Sequence, residues 1–121
     1  MAFVRACALD DVAFDEALAV TVGSYDLAIA RSAVEGGEDE VFALQDLCSH
    51  AAVALSEGEV EDCRIECWLH GSHFDLRTGK PTSFPATEPV ATFPVEIKDD
   101  GDGVRSVYVD TTITLNGVTP A

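Results

Sequence analysis

Short runs of apolar and β-branched residues, separated by turn residues, fill most of the chain, and few segments carry a helical period. Phe3 to Leu9 reads as a first strand, stopped by Asp10-Asp11, and Leu18 to Val22 as a second, closed by Gly23-Ser24. Tyr25 to Ala33 is a third, with Leu27, Ile29 and Arg31 on one side. The acidic, glycine-containing stretch Glu35 to Glu40 turns the chain into a fourth strand, Val41 to Leu47, which runs directly into Cys48. His50 to Gly58 is irregular, with room for a short helical turn. Glu59 to Ile65 and Ser72 to Leu76 read as strands, with a turn over Arg77 to Pro81. Thr82 to Pro89, which carries Pro85 and Pro89, is expected to form an extended surface loop. Val90 to Lys98 alternates throughout and reads as one strand. Asp99 to Gly103 is a hairpin signal that pairs it with Val104 to Asp110. Thr111 to Ala121 is a tail with a turn at Asn116-Gly117. The pattern predicts an all-β domain with a loop-rich insertion at roughly 46–86.

Composition narrows the class. At 121 residues the chain is one domain, and 47% hydrophobic residues are enough for a core. No apolar run approaches the ~20 residues of a membrane span. The opening Met1 to Cys7 lacks the basic and long apolar regions of a signal peptide, so the expected compartment is the cytoplasm. With 22 Asp and Glu against 7 Lys and Arg, the formal charge is -15. Such a polyanion repels phosphate backbones, which disfavours nucleic-acid binding. The same field steers it towards basic docking patches, or simply keeps it soluble.

The chemistry lies in two short runs inside the insertion. Cys48-Ser49-His50 and Cys67-Trp68-Leu69-His70 form C-x-H and C-x-x-H halves, with sixteen residues between them. Each half offers one thiolate and one imidazole, a donor set that suits iron–sulfur or zinc chemistry. A zinc finger pairs its cysteines first and its histidines later, unlike these halves. Two sulfur and two nitrogen ligands match a Rieske [2Fe–2S] centre, where two histidines replace two cysteines on one iron. The other two cysteines, Cys7 and Cys63, are not paired by spacing and read as small, partly buried hydrophobes.

The longer string Cys48-Ser49-His50, Cys67 to Asp75, Thr78-Gly79-Lys80 and Ser83 to Ala86 resembles the Rieske ferredoxin family. The likeness is to the small ferredoxins that serve bacterial ring-hydroxylating dioxygenases. It implies a Rieske-like fold over residues 1–121: a base of antiparallel sheets from 1–45 and 87–121, and a cluster-binding subdomain at 46–86. It also implies that Cys48 and Cys67 hold the inner iron of a [2Fe–2S] cluster, while His50 and His70 hold the outer, reducible iron. The implied role is one-electron transfer rather than catalysis. A flavoprotein ferredoxin reductase would be the donor and a terminal non-haem iron oxygenase the acceptor, with a monomer as the working unit. Rival roles are a redox-sensing or accessory ferredoxin linked to iron–sulfur assembly, and a small redox subunit of a reductase complex.

Departures from the high-potential branch of that family shift the expected potential. That branch carries a loop disulfide at the positions of Val53 and Leu69, and a tyrosine at the position of Phe74. Ser72, whose hydroxyl could bond a bridging sulfide, is kept. Fewer hydrogen bonds to sulfur, together with the negative charge, place the expected potential in the lower part of the Rieske range. His73 falls outside the ligand pattern and reads as a loop or surface residue. Trp68 reads as a cover over the cluster, Pro85 as structural, and Asp75 as an acceptor for backbone amides.

Overall fold

The computed structural model describes residues 3–33, 39–49, 53–69, 71–82, 88–99, 101 and 103–120. The Glu35–Glu38 part of the acidic turn and Ser83–Ala86 lie outside them, as do His50 and His70. Ten strands occur among the described residues: β1 (Phe3–Ala8), β2 (Glu16–Val22), β3 (Tyr25–Ala33), β4 (Asp39–Gln45), β5 (Val60–Glu61), β6 (Arg64–Glu66), β7 (His73–Asp75), β8 (Thr92–Phe93), β9 (Val95–Asp99) and β10 (Arg105–Asp110). Two single 3-10 turns, Leu9–Asp11 and Leu55–Glu57, are the helical content of the described residues. The second answers the expected helical turn after Cys48.

The strands form three antiparallel sheets, ordered β1-β10-β9, β2-β3-β4-β8 and β5-β6-β7. The all-β expectation holds. Strand β3 keeps the expected bounds because Gly23, at φ 61, supplies the left-handed turn before it. Its alternation then divides two cores. Leu27 and Ile29, fully buried, join Val22, Ala43, Phe93, Val107 and Val109 in one apolar cluster, and Cys7 belongs to it. Ala30 faces the other way, into a second cluster with Leu44, Leu55, Ile65, Phe74 and Leu76. Each buried aliphatic side chain contributes about 1.5–3 kcal/mol, so the four-stranded sheet is held on both faces. Arg31 shares the Leu27 and Ile29 side, where its Nη1 donates to Val12 O at 3.1 Å.

Two expected strands are each split. Glu59 to Ile65 is not one strand: Asp62 and Cys63 have φ of 52° and 60°, and Glu61 pairs directly with Arg64. This is a two-residue hairpin with the left-handed backbone of a type I′ turn, normally signalled by Asn-Gly. Val90 to Lys98 breaks at Pro94, which has no N–H to extend a ladder. Phe93 pairs with Ala43 in the four-stranded sheet, whereas Val95 pairs with Val109 in the β1-β10-β9 sheet. The Asp99–Gly103 hairpin is present, with Asp99 Oδ1 accepting from the Gly101 amide at 2.7 Å.

Candidate metal centre

Strand β4 delivers Cys48, and a set of hydrogen bonds fixes the loop that carries it. Gln45 is buried and extends the β4–β8 ladder: its amide donates to Ala91 O at 2.9 Å and its Oε1 accepts from the Ala91 amide at 3.0 Å. Its Nε2 reaches forward to Leu47 O at 2.9 Å. Asp46 then closes the loop base, taking the Ser56 amide on Oδ1 and the Ser56 hydroxyl on Oδ2, both at 2.7 Å. Inside that frame the Cys48 amide donates to Val53 O at 3.0 Å.

Cys67 is delivered by the β6–β7 hairpin. Beyond the Glu66–His73 pair, the Cys67 amide donates to Ser72 O at 2.6 Å and Cys67 O accepts from the Gly71 amide at 2.9 Å. Gly71, at φ 75, allows that tight return. The structure brings Cys48 and Cys67 into the same apolar cluster, at 3% and 0% exposure, and both are free of disulfides.

Between Cys67 and position 70, Trp68 and Leu69 turn outward, 48% and 45% exposed. Sulfur therefore lies inward while the chain on its outer side meets solvent. Trp68, expected as a cover, has a half-exposed ring. Phe74 and Ser72 are fully buried, and no hydroxyl stands at position 74. His73 sits on β7 with its Nε2 3.2 Å from Glu66 Oε2.

A third segment meets the Cys48 loop, where the Ser49 hydroxyl donates to Glu88 O at 2.6 Å. Asp75 is the expected amide acceptor, with Oδ1 taking the Arg77 amide at 2.8 Å and the Thr78 amide at 3.2 Å. Asn116 was legible only as a turn residue, yet its side chain bonds Thr78 O and Val90 O at 2.9 and 2.8 Å. No local pattern signals such distant partners. Cys63 packs against the second cluster, where burial pushes its thiol above the ordinary range while the Arg77 charge opposes this.

Two buried, unoxidised thiols fit an iron–sulfur group. Burying thiolates in an apolar cluster is costly unless cations compensate them, and ferric iron would supply that charge. Each thiol is followed within a few residues by an imidazole in the sequence. Comparison with known proteins agrees. The Rieske [2Fe-2S] domain matches residues 2–94. The ferredoxin subunit of anthranilate 1,2-dioxygenase from Burkholderia cepacia is 45% identical over 92 residues, covering 76% of this chain and 81% of that protein. The ferredoxin component of biphenyl 2,3-dioxygenase from Rhodococcus jostii RHA1 is 42% identical over 100 residues, covering 83% and 89%. Among solved structures, the complex of reduced oxygenase and oxidized ferredoxin in carbazole 1,9a-dioxygenase contains a chain that matches with TM-score 0.72 and 34% identity, over 88% of this chain and 91% of that one. Sheet order, buried sulfur donors and sequence likeness converge: the chain belongs to the Rieske [2Fe-2S] domain family, and its cofactor is a Rieske-type [2Fe–2S] cluster.

Proposed function

We propose that this chain is a one-electron carrier that accepts an electron from a flavoprotein reductase and delivers it to a terminal non-haem iron oxygenase. The observation that carries the reading is the pair of buried thiols, neither of them in a disulfide, beside an exposed apolar edge. Cys48 and Cys67 are the ligands of the inner iron, and His50 and His70 those of the outer iron. When bound, the cluster supplies a reversible one-electron couple, with imidazole ligation raising its potential above that of all-cysteine clusters. The burial of Cys48 and Cys67 keeps water from the sulfur side. The outward turn at Trp68 and Leu69 leaves an exposed apolar edge beside Cys67 for a partner. Ferredoxin components of dioxygenase systems are the relatives, and one solved relative is a ferredoxin in complex with its oxygenase.

The chain works as a monomer in the cytoplasm, and no helix among the described residues is long and apolar enough to cross a membrane. Residues 46–86 act as the cluster-binding unit on a base built by 1–45 and 87–121. Strands β5 to β7, with Cys48 and Cys67, fall within that unit.

Two experiments test the reading. Cys48→Ser, Cys67→Ser, His50→Ala and His70→Ala should each abolish the native visible circular dichroism and reduced-state EPR signal. A variant that keeps both spectra removes its residue from the ligand set. The wild-type protein, added to a flavoprotein reductase, a reduced nicotinamide and a ring-hydroxylating oxygenase, should restore product formation. A loaded protein that is reduced but delivers nothing to any such oxygenase would defeat the carrier assignment while sparing the ligands.

A further inference from the structure

We propose that Asn116 is a positioning residue for the metal centre. Its side chain ties Thr78 to Val90 and so sets how residues 88–90 lie against the Cys48 loop. The proposal rests on Cys48 being a ligand. Asn116 lies beyond residues 2–94, where the family match ends.

The geometry asks for an asparagine. Nδ2 gives one hydrogen to Thr78 O at 2.9 Å and the other to Val90 O at 2.8 Å. Oδ1 accepts from the amides of Thr92 and Val118, both at 3.3 Å. All four hydrogen-bonding capacities of the amide are thereby used. The Leu115 amide adds a backbone bond to Thr92 O at 2.8 Å. Thr78-Gly79 and Val90 thus form a neck, and the Val90 amide closes it again by donating to Gly79 O at 2.8 Å. The neck is tight. Gly79 has φ 73, and a Cβ there would lie 2.1 Å from Val90 O and 2.8 Å from Asn116 Nδ2.

The chain just before Val90 touches the loop that follows Cys48. Glu88 O, two residues before Val90, accepts the Ser49 hydroxyl at 2.6 Å, and Ser49 directly follows Cys48. A continuous path therefore runs from Asn116 through Val90 and Glu88 to Ser49 and Cys48. The sheets do not depend on it: Thr92 and Phe93 are already paired with Leu44 and Ala43.

Asn116→Asp is the discriminating variant. It preserves size and the acceptor, removes both donors, and turns a carboxylate oxygen on two carbonyls. It should fold with a wild-type far-ultraviolet spectrum and bind a full complement of iron and sulfide. It should then lose the cluster to excess iron chelator about tenfold faster, the scale of losing two hydrogen bonds. Ser49→Ala should act in the same direction. The double variant should be no faster than the faster single one, because both cut one path. Merely structural weakening would lower the melting temperature without this non-additivity. An unchanged release rate, rates that multiply in the double variant, or loss of the strands in Asn116→Asp would each overturn the proposal. Failure of the ligand reading is separate: Cys48→Ser would then keep the native spectrum whatever stands at 116.

Discussion

His73 Nε2 lies 3.2 Å from Glu66 Oε2, and the two residues face each other across β6 and β7. This pairing gives the third histidine a partner outside the C-x-H and C-x-x-H pattern. Both side chains are about one-third exposed, and pairs of this kind contribute about 0.2–1 kcal/mol. His73→Gln should keep the Rieske EPR signal and lower unfolding stability in urea by less than about 1 kcal/mol. Loss of the signal would move His73 into the ligand set.

Phe74 is fully buried in the same cluster as the two cysteines and forms a β-bridge with Pro81. Its ring has no group to offer a ligand sulfur. Phe74→Tyr adds one hydroxyl beside the site and should raise the midpoint potential measured by protein-film voltammetry, since a hydrogen bond to sulfur stabilises the reduced, more negative cluster. A lower or unchanged potential would show that position 74 does not reach sulfur. Phe74→Ala instead empties the cluster core and should cost about 3–5 kcal/mol.

The thiols outside the motif set an alkaline limit on stability. Burial, reinforced by the Asp11 charge and opposed by Arg5, raises the Cys7 thiol above its ordinary value of 9.0, and burial does the same to Cys63. In the unfolded chain these thiols ionise first, so the native state holds more protons and stability falls as pH rises. The contribution is intact below pH 9, begins to fade there, and is gone above the folded-state values. Urea midpoints measured from pH 7 to 10.5 should decline in the upper part of that range. Cys7→Ala should flatten the decline, whatever it does to stability at pH 7. An identical slope would mean other groups govern it.

Asp62 and Cys63 occupy left-handed backbone without the residues that adopt it most readily. Replacing the pair with Asn-Gly should stabilise the β5–β6 hairpin by about 1 kcal/mol. The measurable outcome is a higher melting temperature with the cluster retained. A lower one would mean that the contacts of Cys63 with the second core outweigh the backbone strain.

The same turn shows where reading the sequence stops. β3 was legible because Gly23-Ser24 marks its start and Leu27, Ile29 and Arg31 hold one parity. Cys48 and Cys67 stand out because scarce residue types sit at short spacing, and the fold buries both in one cluster. Asp62-Cys63 carries no glycine, so the fold imposes the turn through the pairing of Glu61 with Arg64 and the bond from the Cys63 amide to Ser32 Oγ at 3.0 Å. Pro94 hid in a clean alternation because both halves of that stretch are strands, only in different sheets. Asn116 was unreadable in principle: its acceptors lie 38 and 26 residues away.

Trp68 is the chain's one tryptophan, and its ring stands half exposed directly after Cys67. The protein thus has an intrinsic fluorophore at its functional end. An iron–sulfur chromophore absorbs where indole emits, so emission stays quenched in the loaded protein and recovers as metal leaves. In the metal-free protein, a partner covering that face would shift the emission to the blue. Cofactor loss and partner docking can therefore be followed in one cuvette with no label attached.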